Sequence, residues 1–358
     1  MVVDAAAAKR IMAWWHGDAI DRPAIWITAP RERKRFAAPE APEPADPMRR
    51  WLDPDYRIRR WERTFASTHY LGEAFPYFDT NIGPGSLGLF LGAEPVFAPD
   101  TVWYRPIMSD LRAAPDLRFN PENRWFLAHV RLIEEGLARA NGRYLVSLPD
   151  LIENLDTLAA LHGNAALLTD LIDCPDSVHR FQQQILDLYF AYYDDLYRRV
   201  TRQGLGCCFA AFHLWAPGRV AKLQCDFSAM ISPKHFAEFV VPYLAEQCAH
   251  LDCTVYHLDG PEAIQHLDLL LEIPHLNAIQ WTPGAGQPGC GSPQWYPLLE
   301  RIRAKGKAAL WLGLGMNEIQ PLIERFGPAG LYISASARSR EEALDLLRAA
   351  KTWKKQPT

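Results

Sequence analysis

The chain has 358 residues, 49% hydrophobic and 22% charged, with a formal net charge of −4. That composition suits a globular fold with one large or two modest cores. No long basic run occurs, which excludes a nucleic-acid binder relying on phosphate neutralisation. No run of about eighteen apolar residues exists either, and Asp4, Lys9 and Arg10 interrupt the start, so neither a membrane span nor a signal peptide is expected. Seven scattered cysteines without CxxC spacing read as reduced thiols, and the chain is expected to be cytoplasmic.

In chain order, an N-terminal helical extension leads into an apolar run at Ala24–Thr28. The segment PEAPEPADP, 39 to 47, reads as a surface loop, because proline removes backbone donors and resists helix and interior strand alike. Further β-prone runs follow at Ala74–Phe78, Arg143–Ser147, Gly206–Ala210, Cys253–His257, Asn277–Trp281, Ala308–Leu312 and Gly330–Ser334. Most are separated by segments with apolar residues at three- and four-residue spacing, among them Pro121–Ala140, Asp176–Val200, Pro233–His250, Met316–Phe326 and Arg340–Ala350. Eight strands alternating with helices predict a (β/α)8 TIM barrel forming a single domain over 1–358, although an open doubly wound sheet has the same local grammar. Closure is favoured because no GxGxxG follows an early strand, and because polar and aromatic residues accumulate after many strands instead of at one switch point.

Those strand ends carry Arg31 and Arg33, Asp79, Asp150 and Glu153, then His213, Trp215 and Arg219, then His257 and Asp259, Trp281, and lastly Ser334, Ser336 and Arg338. In CTVYHLDGPE, His257 and Asp259 stand where an apolar strand stops. They are two metal ligands, a proton-transfer pair, or a turn in which Asp259 caps the helix beginning near Pro261. A third ligand would come from Asp226, Glu153 or Cys290. Asp79 follows the aromatic run FPYF, and is a proton donor with a raised pKa, a partner for an arginine, or an Asx-turn residue. Asp150 and Glu153 suit one helical face or the N-terminal charges of a helix. Arg31 and Arg33 would grip a substrate carboxylate or form a solvated loop. Trp215, Trp281 and Tyr256 would form an aromatic box for a methylated ammonium or a flat ring.

The stretch SPKHFAEFVVPYLAEQCAHLDCTVYHLDG resembles the uroporphyrinogen decarboxylase superfamily, which includes methyltransferases serving corrinoid proteins. There a helix opening S-P-x-x-F-x-x-F-x-x-P-Y-L leads to a strand ending in H-x-C-G. GPGSLGLFLGAEP, LNAIQWTPG and LYISASARSREEALDLLRAAK extend the resemblance over most of the chain from about residue 70. It implies one barrel with its site at the C-terminal mouth. In the decarboxylase branch no cofactor is used, an aspartate after the second strand binds pyrrole nitrogens, and N-terminal arginines hold carboxylates; Asp79 stands in a place similar to that aspartate, and PAIWITAPRER resembles the arginine segment. In the methyltransferase branch the His and Cys of H-x-C, with a later Cys, hold a zinc that activates a thiol. Here His257 matches the histidine, while Asp259 and the region of Ser334 or Ser336 replace the cysteines, making the site harder.

The resulting expectation is a methyltransferase acting on a small methylated substrate or a corrinoid-protein methyl carrier. His257 and Asp259 would be metal ligands or an acid–base pair; Asp79 and Glu153 would orient substrate; Arg31, Arg33, Asp150, His213, Trp215, Arg219, Tyr256 and Trp281 would bind it. The cofactor would be a divalent metal, zinc or a harder ion, with cobalamin arriving only on a separate corrinoid protein. A homodimer is a further expectation. The rivals are a cofactor-free decarboxylase and a catalytically idle ligand-binding barrel.

Overall fold

The computed structural model describes residues 2–356. The first helix, α1 (Ala5–Trp15), starts where Asp4 accepts the N–H groups of Ala6 and Ala7. Its Trp14 and Trp15 are buried and donate their indole N–H groups to the carbonyls of Ala309 and Trp215. These two rings lock the extension against the barrel floor.

The strands are β1 (Ala24–Pro30), β2 (Thr68–Gly72), β3 (Tyr77–Phe78), β4 (Glu94–Phe97), β5 (Val102–Arg105), β6 (Leu145–Val146), β7 (Cys207–Phe209), β8 (Leu214–Ala216), β9 (Val220–Gln224), β10 (Cys253–Asp259), β11 (Ala278–Thr282), β12 (Ala308–Leu314) and β13 (Leu331–Ser336). Seven of them form one sheet in the order β2-β1-β13-β12-β11-β10-β9, parallel throughout except for β2. The opposite arc is thinner. There β3 pairs with β6 in parallel, and a parallel bridge from Leu148 to Phe209 carries the curve on to β7. The fold is a TIM-like α/β barrel whose hydrogen bonding, among the described residues, is interrupted between β1 and β3 and between β7 and β9.

The expected fourth strand, Gly206–Ala210, is more elaborate than its sequence pattern suggests. After β7 the chain turns back as β8, antiparallel to it, and only then rises again as β9. At the turn His213 adopts φ +56°, stacks on Trp26 of β1 at 3.8 Å, meets the Tyr77 hydroxyl of β3 at 3.0 Å and accepts the Tyr332 hydroxyl of β13 on its carbonyl. One residue touching strands that far apart in the ring lies inside the barrel, so the hairpin fills the interior. Pro217 and Gly218 then turn the chain into β9, a strand absent from the eight predicted runs.

The helices α2 (Pro47–Leu52) and α3 (Pro54–Ser67) follow the proline-rich loop, which is held by ion pairs of Arg50 with Glu43 and Arg63 with Glu40. Beyond them come α4 (Ser86–Phe90), α5 (Arg124–Ala140) and α6 (Asn154–His162). The antiparallel β4–β5 hairpin stands between α4 and α5 in the chain. No helix among the described residues is long and apolar enough to cross a membrane.

Candidate functional site

Register decides which side chains enter the barrel, since parallel neighbours share a face and successive residues alternate. His257 lies beside Gln224 on one side and Gln280 on the other, and Val255 beside Lys222 and Ala278. Lys222, Gln224, His257 and Gln280 therefore share one face. Phe212, from the interior hairpin, stands 5.1 Å from the His257 ring, so this face is the inner one. Buried polar groups on an inner strand face are costly unless each finds a partner, and here each does.

At the upper end of that face three side chains converge. Asp226 opens the 3-10 turn that follows β9, while His257 and Asp259 end β10. One donor atom from each lies within 4.8 Å of the others, and His257 Nε2 is 3.8 Å from Asp259 Oδ2. The remaining ring nitrogen of His257, Nδ1, donates to Gln280 Oε1, and Gln280 is itself fixed by donating to the Trp281 carbonyl and the Thr282 hydroxyl. That chain of bonds sets the tautomer: the Nε2 lone pair is left facing the two carboxylates. Burial, and after it the charge of Lys222, pushes the His257 pKa down and keeps the ring neutral. Asp259 does not cap the following turn, which begins at Gly260 with no side-chain cap. Its carboxylate stays free for the rim.

Behind the rim sits a buried electrostatic shell. Lys222, 5% exposed, pairs with Asp150 at 2.8 Å and bonds Gln224. Glu153, 1% exposed, accepts the Gln224 N–H on one carboxyl oxygen and leaves the other without a partner; burial pushes its pKa up to about 8. Asp156 accepts the backbone N–H groups of Asp226 and Phe227, so the start of α6 staples the loop that presents Asp226. Asp150 and Glu153 do not share a helical face. They lie in the irregular segment leading into α6, where Ile152 and the first residue of the helix, Asn154, both take positive φ.

Asp79 sits at the same mouth, on the other side of Asp150. One of its oxygens accepts the Asn81 N–H, the Asx-turn bond, and burial raises its pKa against the opposing pull of Arg57. It lines a cavity of about 380 Å³ with Arg50, Arg57, Arg60, Trp51 and Trp61. Arg57, 8% exposed, donates only to the backbone carbonyls of Trp51 and Asp79. Among the described residues neither Arg57 nor Arg60 has a carboxylate within 4 Å.

Several expected site residues stand elsewhere. Tyr256 and Trp281 alternate with the inner residues and face the helical layer, where Trp281 packs on Trp295. Trp215 lies on the returning β8 and donates to the Leu205 carbonyl, near the floor. Arg219 precedes β9, at the opposite end of the strand from the rim, and pairs with Asp194 at 3.1 Å. The proposed aromatic box of these rings is therefore not assembled. Arg33 is exposed, and Arg31 lines a lateral cavity with Arg35, Phe65 and Tyr70, its Nε donating to the Thr68 carbonyl. The arginine grip built from Arg31, Arg33, Arg219 and Asp79 is not gathered. His213 is inside the barrel, but as the tip of the filling hairpin. Of the suggested third ligands only Asp226 joins His257 and Asp259; Cys290 donates to the Trp281 carbonyl and Glu153 is held by Gln224.

Lys222, Gln224, Gln280, Arg57 and Arg60 escape a reading confined to strand ends. The lysine and glutamines show one signal, since they interrupt otherwise apolar runs, VAKLQ and AIQWT, at inward positions. The arginines show none beyond the density of basic residues in YRIRRWER.

No family model matches the chain, and no curated protein matches it significantly in sequence. Among solved structures it is similar to a methyltransferase from Methanosarcina mazei, with a TM-score of 0.57 and 12% identity over 97% of this chain and 98% of that one. At that identity the likeness defines the fold class, a TIM-like α/β barrel, and nothing finer.

Proposed function

We propose that the chain is a metal-dependent enzyme that transfers a methyl group between a small methylated substrate, or a corrinoid-protein methyl carrier, and a heteroatom acceptor at the Asp226–His257–Asp259 rim. The observation that carries this reading is the His257 tautomer, with Nδ1–H locked by Gln280 and Nε2 turned to the carboxylates of Asp226, which Gln224 orients, and Asp259. Two oxygens and one imidazole suit zinc or a harder divalent ion better than a thiolate-seeking one. A cation held there would supply Lewis acidity, lowering the pKa of an acceptor heteroatom. Asp226 and Asp259 are exposed, which leaves an open side for that acceptor. Its proton leaves to solvent across the rim; its lone pair forms the bond to the methyl carbon while the donor atom departs with the old bonding pair. Lys222 and Asp150 hold the floor of the site rigid. The resemblance in HLDG supports the same reaction class.

The test is divalent-metal binding by calorimetry on chelator-treated protein, together with methyl transfer from small donors and a methylated corrinoid protein. Stoichiometric binding that His257→Ala weakens by roughly 100-fold or more is expected. Protein that binds no divalent ion, with His257→Ala indistinguishable from the parent, overturns the reading.

One observation favours a second reading, decarboxylation of a carboxylated small molecule without cofactor. The cavity of Arg57, Arg60 and Asp79 joins guanidinium groups that make no direct ion pair to a carboxyl whose raised pKa suits it to donate a proton to the carbon that loses CO2. It requires turnover that survives chelators and is lost in Asp79→Asn.

A further inference from the structure

A second cleft opens on the other flank of Asp226. It measures about 480 Å³ and is walled by Trp103 and Tyr104 of β5, Phe227 and Met230 of the turn after β9, and the carboxylates of Asp156 and Asp226. Among the described residues no lysine, arginine or histidine lines it. Its apolar walls stand open to solvent: Trp103 is 66% exposed and Met230 46%. Val96 and Ile107, on or beside the same hairpin, are also among the few large exposed apolar side chains of the described residues. Clustering of that kind on one hairpin and one turn, at the lip of a candidate site, marks a surface kept for a ligand.

The chemistry of the walls restricts the ligand. An anion would meet two carboxylates in the lining, and the cation that acts on Asp226, Lys222, is buried and paired with Asp150. A bare metal ion or a primary ammonium needs water or oxygen on all sides and gains little from Trp, Phe and Met. A cation whose charge is spread over methyl groups satisfies both, because its surface is apolar enough for the walls and its field is attracted by ring faces and carboxylates. The carboxylates of Asp156 and Asp226 share one neutral donor, the Gln224 amide, whose Nε2 reaches them at 3.1 and 3.0 Å, so a cation in the cleft adds the charge that the amide lacks.

We propose that this cleft binds an organic cation carrying a methylated ammonium or sulfonium group, and that this group is the methyl donor for the reaction at the adjoining rim. The donor role rests on the methyl-transfer reading above; the binding does not. In the step, the bond from nitrogen or sulfur to the methyl carbon breaks with its electron pair retained by the heteroatom. A neutral amine or sulfide leaves, and the methyl carbon bonds the acceptor.

The experiment compares choline with 3,3-dimethylbutan-1-ol, its uncharged carbon isostere, by calorimetry on the full chain in the presence of chelator. Choline is expected to bind at least about tenfold more tightly than the isostere. Trp103→Leu, at an exposed position that the core does not need, is expected to weaken choline about tenfold and leave divalent-metal affinity unchanged; Met230→Lys, which places a cation in the cleft, is expected to abolish choline binding. Equal binding of the two ligands, or choline affinity indifferent to both substitutions, overturns the inference. Metal bound at the rim with choline and isostere alike would fell the cleft and leave the rim standing. Choline bound as described, in protein that takes up no metal, would do the reverse.

Discussion

Two constellations share the barrel mouth, and they differ in how the chain builds them. The acidic rim takes all three of its donors from the ends of adjacent parallel strands, so its geometry follows from β-register: Gln224, His257 and Gln280 stand side by side, and Asp226 and Asp259 lie two residues beyond the first two. The arginine cavity takes Arg57, Arg60 and Trp61 from α3, Trp51 from α2 and Asp100 from the β4–β5 turn, and only Asp79 from a strand end. One site is written into the barrel, the other is laid over it by insertions. Asp150 lies between, paired with Lys222 and acting on the ionisation of both His257 and Asp79.

The strongest way to break the comparison is to remove the rim alone. His257→Ala deletes the imidazole donor and leaves two exposed carboxylates, and divalent-metal affinity is expected to fall by roughly 100-fold or more. Ligand binding in the arginine cavity should be unchanged, because no rim residue lines it. Calorimetry with a divalent ion and with a dicarboxylate reads both; parallel losses would show that the two sites are one.

Next in size is a pH effect from the shell that ties them. Burial raises Glu153 from 4.5 to about 8. Below 4.5 the carboxyl is protonated folded or unfolded and contributes nothing to pH dependence. Between 4.5 and 8 the unfolded chain releases the proton while the folded one keeps it, so stability falls as pH rises and the full loss is present above 8. Glu153→Gln removes this titration. Urea unfolding should show the variant gaining on the parent from pH 5 to pH 8, by on the order of a few kcal/mol. Parallel curves would place Glu153 in contact with water.

The sequence made the rim legible and the cavity not, for reasons visible in these residues. A strand that changes abruptly from apolar to HLDG advertises its end, and strand ends meet at a barrel mouth whatever lies between them. Asp226 was harder to place, because β9 is hidden behind the hairpin that its own neighbours form; VAKLQ pairs with β10, yet the apolar CCF before it reads as the better strand. Alternation misled in the opposite direction at Tyr256 and Trp281, whose position near the rim is real but whose side chains belong to the other face of the sheet. Arg219 shows a related limit, since a residue near a strand in sequence lies at either end of it and the pairing with Asp194 fixes this one at the entry to β9; Arg31 does follow β1 at the mouth end, but its bond to the Thr68 carbonyl turns it to the lateral cavity.

The cavity is broken by Arg57→Met, an effect of intermediate size. Its guanidinium donates at 3.0 Å to the Trp51 carbonyl and at 2.7 Å to that of Asp79, and its loss leaves both acceptors unsatisfied, a cost of about 1–3 kcal/mol. Dicarboxylate binding should fall with it while metal binding at the rim holds, the mirror image of His257→Ala. Loss of metal binding as well would mean that the loop carrying Asp79 positions Asp150, and through Lys222 the rim.

The smallest effect sharpens the contrast between a charge in the right sequence neighbourhood and a charge in the right place. Arg33 and Arg60 are both exposed arginines in basic clusters, but Arg60 lines the cavity beside Asp79 and Arg33 does not. Surface substitutions away from such features stay within about 0.5 kcal/mol, so Arg33→Gln should leave stability, metal affinity and dicarboxylate affinity unaltered. Arg60→Gln removes a cation from an aromatic-walled cavity with little change in volume, and dicarboxylate affinity should fall several-fold at low salt, less at high salt where exposed charge is screened. Equal responses to the two substitutions would mean that the basic segments act through their summed field, and that the cavity walls select nothing.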